Sequence, residues 1–233
     1  MWVKICANTS LEDALMAAEA GADAVGFVFA ESVRRVTPQQ VRVITPGLPA
    51  HLEKIGVFAD KGFDDLARTI EECGLTGVQL HSGCEADAAA RLRKQFPALQ
   101  ILKVIHFQEG LEAELREARE DQAIDAVLVD SRTANLLGGT GVSFDWQSAR
   151  RSFEGSRLRM VLAGGLNPEN VGEAIAMLQP WGVDVASGVE ASPGKKDPMK
   201  VRALVENARI TDSPSRQRLR MAAPAGRGRG VKV

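Results

Sequence analysis

Short apolar runs rich in β-branched residues alternate along the chain with longer amphipathic segments; the runs are "VKIC", "AVGFVF", "EKIGVF", "GVQL", "ILKVI", "AVLVD", "RMVLA" and "VDVAS". A strand that is apolar on both faces is covered on both faces, and parallel pairing needs a crossover between successive strands. The alternation therefore predicts a parallel sheet whose strands are joined by helices. The first helix is expected over Leu11–Ala20, with Thr9 and Glu12 at capping-box spacing and Gly21 as the stop. In the seventh unit Asn167 is the expected cap, Pro168 fits the first turn, and "ENVGEAIAML" carries an apolar stripe up to Gln179-Pro180. Eight such units at a spacing of roughly 25 residues predict an α/β protein of the closed (β/α)8 TIM-barrel class. An open doubly wound sheet is disfavoured, because no glycine-rich dinucleotide fingerprint follows the first strand.

Two segments break this rhythm. Residues 131–141, "SRTANLLGGTG", form a glycine-rich stretch too long for a routine connection and placed where a barrel carries function, so they are expected to be an active-site loop. The stretch from Ser213, "SPSRQRLRMAAPAGRGRGVKV", holds arginine, glycine and proline, no acid and no sustained apolar period. The expected organisation is one catalytic barrel domain over 1–210 and a disordered basic tail over 211–233.

Composition narrows the class without changing the fold. The chain has 233 residues, 45% hydrophobic and 25% charged, as expected of a soluble globular protein with enough apolar mass for a core. A formal charge of -1 supplies no global field for nucleic acid or membrane, and no leader or membrane-span pattern is read, so a cytoplasmic protein with neither partner is expected. The three cysteines, Cys6, Cys73 and Cys84, are odd in number and lack CxxC spacing, which argues against a disulfide framework or a zinc ribbon. Monomer and homodimer both remain open.

The C-terminal ends of barrel strands converge on one mouth, so polar residues there are candidates for chemistry. Cys6 ends the first strand, Gln79 and His81 the fourth, Asp130 the sixth, and Asp184 and Ser187 lie on the eighth; Arg34 and Arg35 follow the second. Glycine turns at Gly164-Gly165 and Ser187-Gly188 follow strands seven and eight, where barrels commonly hold phosphate through backbone N–H groups. A buried aspartate whose pKa is raised can donate a proton near neutrality, and a thiolate can accept one. Such a pair could shuttle protons on a sugar phosphate with no cofactor. Plainer readings stand beside each: Cys6 as a small core residue, Asp130 as a turn cap or a partner of Arg132, the glycines as tight turns, Arg34-Arg35 as a solvated pair, and Gln79 and His81 as satisfied strand ends. His81 and Cys84 have HxxC spacing but no second pair, so no metal is expected.

In order and spacing, "KICANT", "AEAGADAVGFVFAESVRRVTP", "KIGVF", "GVQLH", "VLVDS", "GGTGVSFDW", "LAGGLNPENV" and "GVDVASGVEASPGKKD" resemble the phosphoribosylanthranilate isomerase family of tryptophan biosynthesis, over residues 3 to about 208. The resemblance implies an Amadori rearrangement of N-(5′-phosphoribosyl)anthranilate to 1-(2-carboxyphenylamino)-1-deoxyribulose 5-phosphate, without metal or organic cofactor. It implies Asp130 as general acid and Cys6 as general base, and Arg34 at the anthranilate carboxylate. Gln79, His81 and Asp184 are expected to bind substrate, and Gly164, Gly165, Ser187 and Gly188 to bind phosphate.

Three positions depart from the family pattern. Ala7 replaces a glycine, so the backbone there is expected to avoid glycine-only conformations. Val33 replaces the proline before the arginine, which is expected to loosen that loop, and Ala186 replaces a serine. The competing readings are the sister Amadori isomerase of histidine biosynthesis, a phosphate-binding barrel without turnover, and an interaction protein acting through its basic tail. Cys6 argues against the first, since that family uses an aspartate there.

Overall fold

Every predicted apolar run is a strand. The computed structural model describes residues 1–107, 111–130, 146–153 and 158–211. The eight parallel strands are β1 (Trp2–Ile5), β2 (Ala24–Val28), β3 (Glu53–Phe58), β4 (Gly77–Leu80), β5 (Gln100–His106), β6 (Ala126–Asp130), β7 (Arg159–Ala163) and β8 (Gly182–Val185). They close in sequential order, β8 completing the barrel against β1 with Trp2 opposite Gly182 and Lys4 opposite Asp184. Outside lie α1 (Leu11–Glu19), α2 (Pro38–Ile44), α3 (Phe63–Cys73), α4 (Ala88–Gln95), α5 (Leu111–Glu120), α6 (Trp146–Phe153), α7 (Val171–Leu178) and α8 (Pro198–Thr211). A two-stranded antiparallel hairpin, β9 (Glu190–Ser192) and β10 (Lys195–Lys196), is inserted between β8 and α8. No described helix is long and apolar enough to cross a membrane. The expected loop over 131–141 and the basic tail beyond Thr211 lie outside the described residues.

The core has two layers, because successive residues of a strand face opposite sides of the sheet. Val3, Ile5, Val25 and Phe27 pack outward under the helices. Trp2, Ala24, Ile55, Leu102, Val104, Leu128 and Val161 fill the barrel interior. Trp2 closes the floor: its indole stacks on Trp181 at 5.2 Å and its Nε1–H donates to Glu53 at 3.0 Å. The strand that points Trp2 into the barrel also points Lys4 and Cys6 into it, two and four residues on.

Two helix starts differ from expectation. Ser10, not Thr9, caps α1, its Oγ accepting from the Asp13 N–H, because the Thr9 hydroxyl is spent on the Gly194 carbonyl at 2.7 Å. Asn167 accepts from the N–H groups of Glu169 and Asn170, which makes a turn ahead of the helix, and α7 proper begins at Val171. Strand existence follows from hydrophobic pattern, whereas cap choice depends on which hydroxyl a distant loop has already engaged.

Candidate active site

All ten sequence-predicted site residues line one cavity of about 340 Å³ at the C-terminal mouth of the barrel: Cys6, Arg34, Gln79, His81, Asp130, Gly164, Gly165, Asp184, Ser187 and Gly188. Going round the mouth, β6 contributes Asp130, β7 the Gly164-Gly165 turn, β8 the Ser187-Gly188 turn, β1 Cys6, and the loop after β2 Arg34. Asp130 and Cys6 therefore stand three strands apart around the mouth, with both glycine turns between them. The β7 turn needs its glycines, with φ of 88° at Gly164 and 65° at Gly165. Gly188 is required by close approach, since a β-carbon there would lie 1.9 Å from the Leu166 carbonyl oxygen.

Sequence reasoning missed the charge that organises the floor of this cavity. Lys4 is fully buried, and its ammonium donates to Gln79 Oε1 at 2.8 Å and to Asp184 Oδ1 at 2.9 Å. Gln79 is in turn 3.2 Å from the His81 ring. Gln79 and Asp184 thus spend polar capacity on a buried lysine while still edging the cavity. The available signal was a lysine between apolar neighbours on a strand expected to be covered on both faces. Cys6 shares this space: a β-carbon on Gly26 would stand 2.7 Å from Cys6 Sγ and 3.0 Å from Lys4 Cε. Burial pushes the Cys6 thiol up from its ordinary 9.0, and the positive charge of Lys4 opposes that rise without cancelling it. Burial likewise disfavours the Lys4 charge, but Asp184 and Cys6 more than offset it, leaving that ammonium above its ordinary value.

At Ala7 the expectation is overturned. Its φ is 61°, in the left-handed region, so alanine occupies the conformation the sequence suggested it would avoid. The turn is held by Asn8, whose N–H and side-chain amide both donate to the Gly26 carbonyl and whose amide also reaches the Ile5 carbonyl. These bonds over-determine the strained residue and keep the backbone after Cys6 in the cavity wall. Arg34 is also not a solvated loop residue. Its guanidinium grips Glu190 with Nε at 2.8 and 3.0 Å and Nη2 at 2.7 Å, while Val33 is 80% exposed. Ser32 stabilises that loop by accepting from the Arg34 and Arg35 N–H groups. The three cysteines are all free, and among the described residues no group of His, Cys, Asp and Glu could hold a metal ion.

The family model for "N-(5'phosphoribosyl)anthranilate (PRA) isomerase" matches residues 3–207. The chain is 44% identical over 208 residues to N-(5'-phosphoribosyl)anthranilate isomerase of Citrifermentans bemidjiense, covering 89% of this chain and 96% of that one. Its structure is similar to phosphoribosyl anthranilate isomerase from Thermotoga maritima, with a TM-score of 0.79 and 36% identity over 90% of this chain and 99% of that one. It is also similar, with a TM-score of 0.76 and 34% identity over the same shares, to such an isomerase in complex with reduced 1-(o-carboxyphenylamino)-1-deoxyribulose 5-phosphate.

Proposed function

The chain belongs to the N-(5′-phosphoribosyl)anthranilate isomerase family, and from that premise we propose that it carries out the family's rearrangement in tryptophan biosynthesis with Asp130 as general acid and Cys6 as general base. The observation that supports the assignment of roles is the placement of these two groups at the ends of β6 and β1, three strands apart on one cavity, with the two glycine turns between. A substrate whose phosphate sits on the turns of Gly164-Gly165 and Ser187-Gly188 presents its sugar between acid and base. The ring oxygen and C2′ are separate atoms, both bonded to C1′, so an acid for one and a base for the other can be supplied by two different residues.

Asp130, 5% exposed at the end of its strand, delivers a proton to the furanose ring oxygen. The C1′–O bond breaks as the anthranilate nitrogen supplies its lone pair, and an open-chain iminium results. That cation acidifies the C2′–H bond and adds positive charge beside Cys6, favouring the thiolate over the thiol that burial otherwise prefers. Cys6 then takes the C2′ proton, the C–H electron pair neutralises the iminium, and the enolamine tautomerises to the ketone. Atoms and charge balance without a redox partner. Lys4 contributes a fixed cation near the thiol, while Asp184 and Gln79 hold Lys4 and edge the cavity where the sugar hydroxyls would lie.

Reduced 1-(o-carboxyphenylamino)-1-deoxyribulose 5-phosphate is the expected tight ligand of this cavity, with its aromatic carboxylate at Arg34. Three free thiols fit a reducing, cytoplasmic setting, as a monomer or a homodimer. The test is turnover of freshly generated phosphoribosylanthranilate, followed by loss of anthranilate-type fluorescence. Asp130→Asn and Cys6→Ser are each expected to lower kcat by at least about a hundredfold while ligand binding is kept. Wild-type turnover that survives either change would remove that residue from the mechanism.

A further inference from the structure

A guanidinium offers five N–H groups in a rigid fork, and how its edges are shared decides what it can still bind. Glu190 occupies the side edge of Arg34, made by Nε and one Nη2 proton. Among the described residues nothing takes the remaining edge, made by Nη1 and the second Nη2 proton, and that edge has the two-donor spacing a carboxylate accepts fork to fork. Arg34 lines the cavity, whereas Glu190 and Lys196 lie behind it. Glu190 is itself fixed, its side chain 4% exposed and its Oε1 accepting from Lys196 Nζ and the Gly194 N–H, both at 3.3 Å. The fully buried Lys196 ammonium also donates to the Ala186 carbonyl at 3.1 Å, and the Lys196 N–H to Asp13 at 3.1 Å. Two cations share the Glu190 carboxylate, so Arg34, Glu190 and Lys196 together carry one net positive charge; the neighbouring Asp13 carboxylate takes the Lys196 backbone N–H rather than its ammonium. An isolated Arg34–Glu190 pair would be neutral and would attract a second carboxylate poorly.

We propose that Glu190 and Lys196 are positioning residues for the substrate's aromatic carboxylate: Glu190 aims the outer edge of Arg34 into the cavity, and Lys196 balances Glu190 so that the charge of Arg34 stays available. This rests on the isomerase reading of Arg34. The electrostatics agree. Burial alone would raise the Glu190 carboxyl, yet the Arg34 hydrogen bonds and the Lys196 charge hold it below its ordinary value. Nothing in "GVEASPGKKD" alone marks these two residues as acting through an arginine that lies 156 positions before Glu190.

The test compares two probes by calorimetry on the full chain: reduced 1-(o-carboxyphenylamino)-1-deoxyribulose 5-phosphate and the same molecule without its ring carboxylate. Glu190→Gln and Lys196→Met are each expected to weaken the carboxylated probe about tenfold, with the other probe changed by less than about twofold. Arg34→Met is expected to abolish the preference for the carboxylated probe. If Arg34→Met abolishes it and Glu190→Gln and Lys196→Met both retain it, the positioning inference is overturned and the reading of Arg34 stands. If Arg34→Met retains it, the carboxylate lies elsewhere and the isomerase reading of Arg34 fails with the inference. Loss of both probes by the same factor in Glu190→Gln and Lys196→Met would reduce the cluster to a scaffold for the hairpin, which also overturns the proposal.

Discussion

At Ala7 a β-carbon sits in a conformation that disfavours it by roughly 1–2 kcal/mol, and the Asn8 hydrogen bonds to Ile5 and Gly26 hold it there. Local preference predicted the opposite, because propensity describes a residue free to choose and this one is pinned between two strands. Lys4 teaches the complementary lesson. A lysine inside an apolar strand is unfavourable alone, but Asp184 and Gln79 arrive from β8 and β4 to satisfy it. Removing one member of such a pair leaves the other buried and uncompensated. Lys4→Met is therefore expected to destabilise the fold by about 3–5 kcal/mol, read as a lower urea midpoint, and to slow Cys6 alkylation by withdrawing the cation that opposes thiol protonation. Wild-type stability and alkylation rate in that variant would show that the ammonium neither compensates Asp184 nor reaches Cys6.

Elements follow a simpler logic with local exceptions. The eight strands were legible because burial on both faces demands continuous apolar runs, which only their inward polar positions interrupt. Helix starts were legible to within one turn. The choice of Ser10 over Thr9 depends on the hairpin of β9 and β10, whose Gly194 carbonyl takes the Thr9 hydroxyl. That hairpin lies within "GVEASPGKKD", where strands of three and two residues carry almost no periodic signal. Where the β7 and β8 turns meet, backbone contact leaves no room for a side chain at Gly188. Gly188→Ala is expected to force the turns apart and weaken inorganic phosphate binding at least about tenfold, while the urea midpoint drops by the equivalent of about 1–3 kcal/mol. Phosphate affinity equal to wild type would place the anion away from these turns.

For the whole molecule, buried titratable groups link stability to alkaline pH. Burial raises the Cys6 thiol above 9.0 and the Cys73 thiol to about 11, and Lys4 stands above its ordinary 10.5. Each keeps its proton in the native chain where the unfolded chain loses it. Its contribution is full below the ordinary value and is lost as pH rises through the native one. Lys196, lowered chiefly by burial, acts in the opposite direction. Burial raises the Cys84 thiol as well, so between pH 9.0 and 10.5 three thiols act against Lys196, while the loss at Lys4 begins only above 10.5; the urea midpoint is expected to fall across that interval, and Cys73→Ala to make that fall shallower. A midpoint flat across that interval would contradict the assignment.

The sequence by itself determined the barrel, the identity of the mouth residues and the family, because strand-length hydrophobicity, turn glycines and ordered motifs are local properties of the chain. It also singled out Arg34 and Cys6 by position at strand ends. Only the tertiary structure decided what those side chains face. Closing β8 onto β1 sets Lys4 against Asp184, and folding the hairpin back beneath the β2 loop sets Glu190 and Lys196 behind Arg34. Pairings over separations of 180 and 156 residues leave no periodic trace along a chain, since it is the curvature of the closed sheet that brings the partners together.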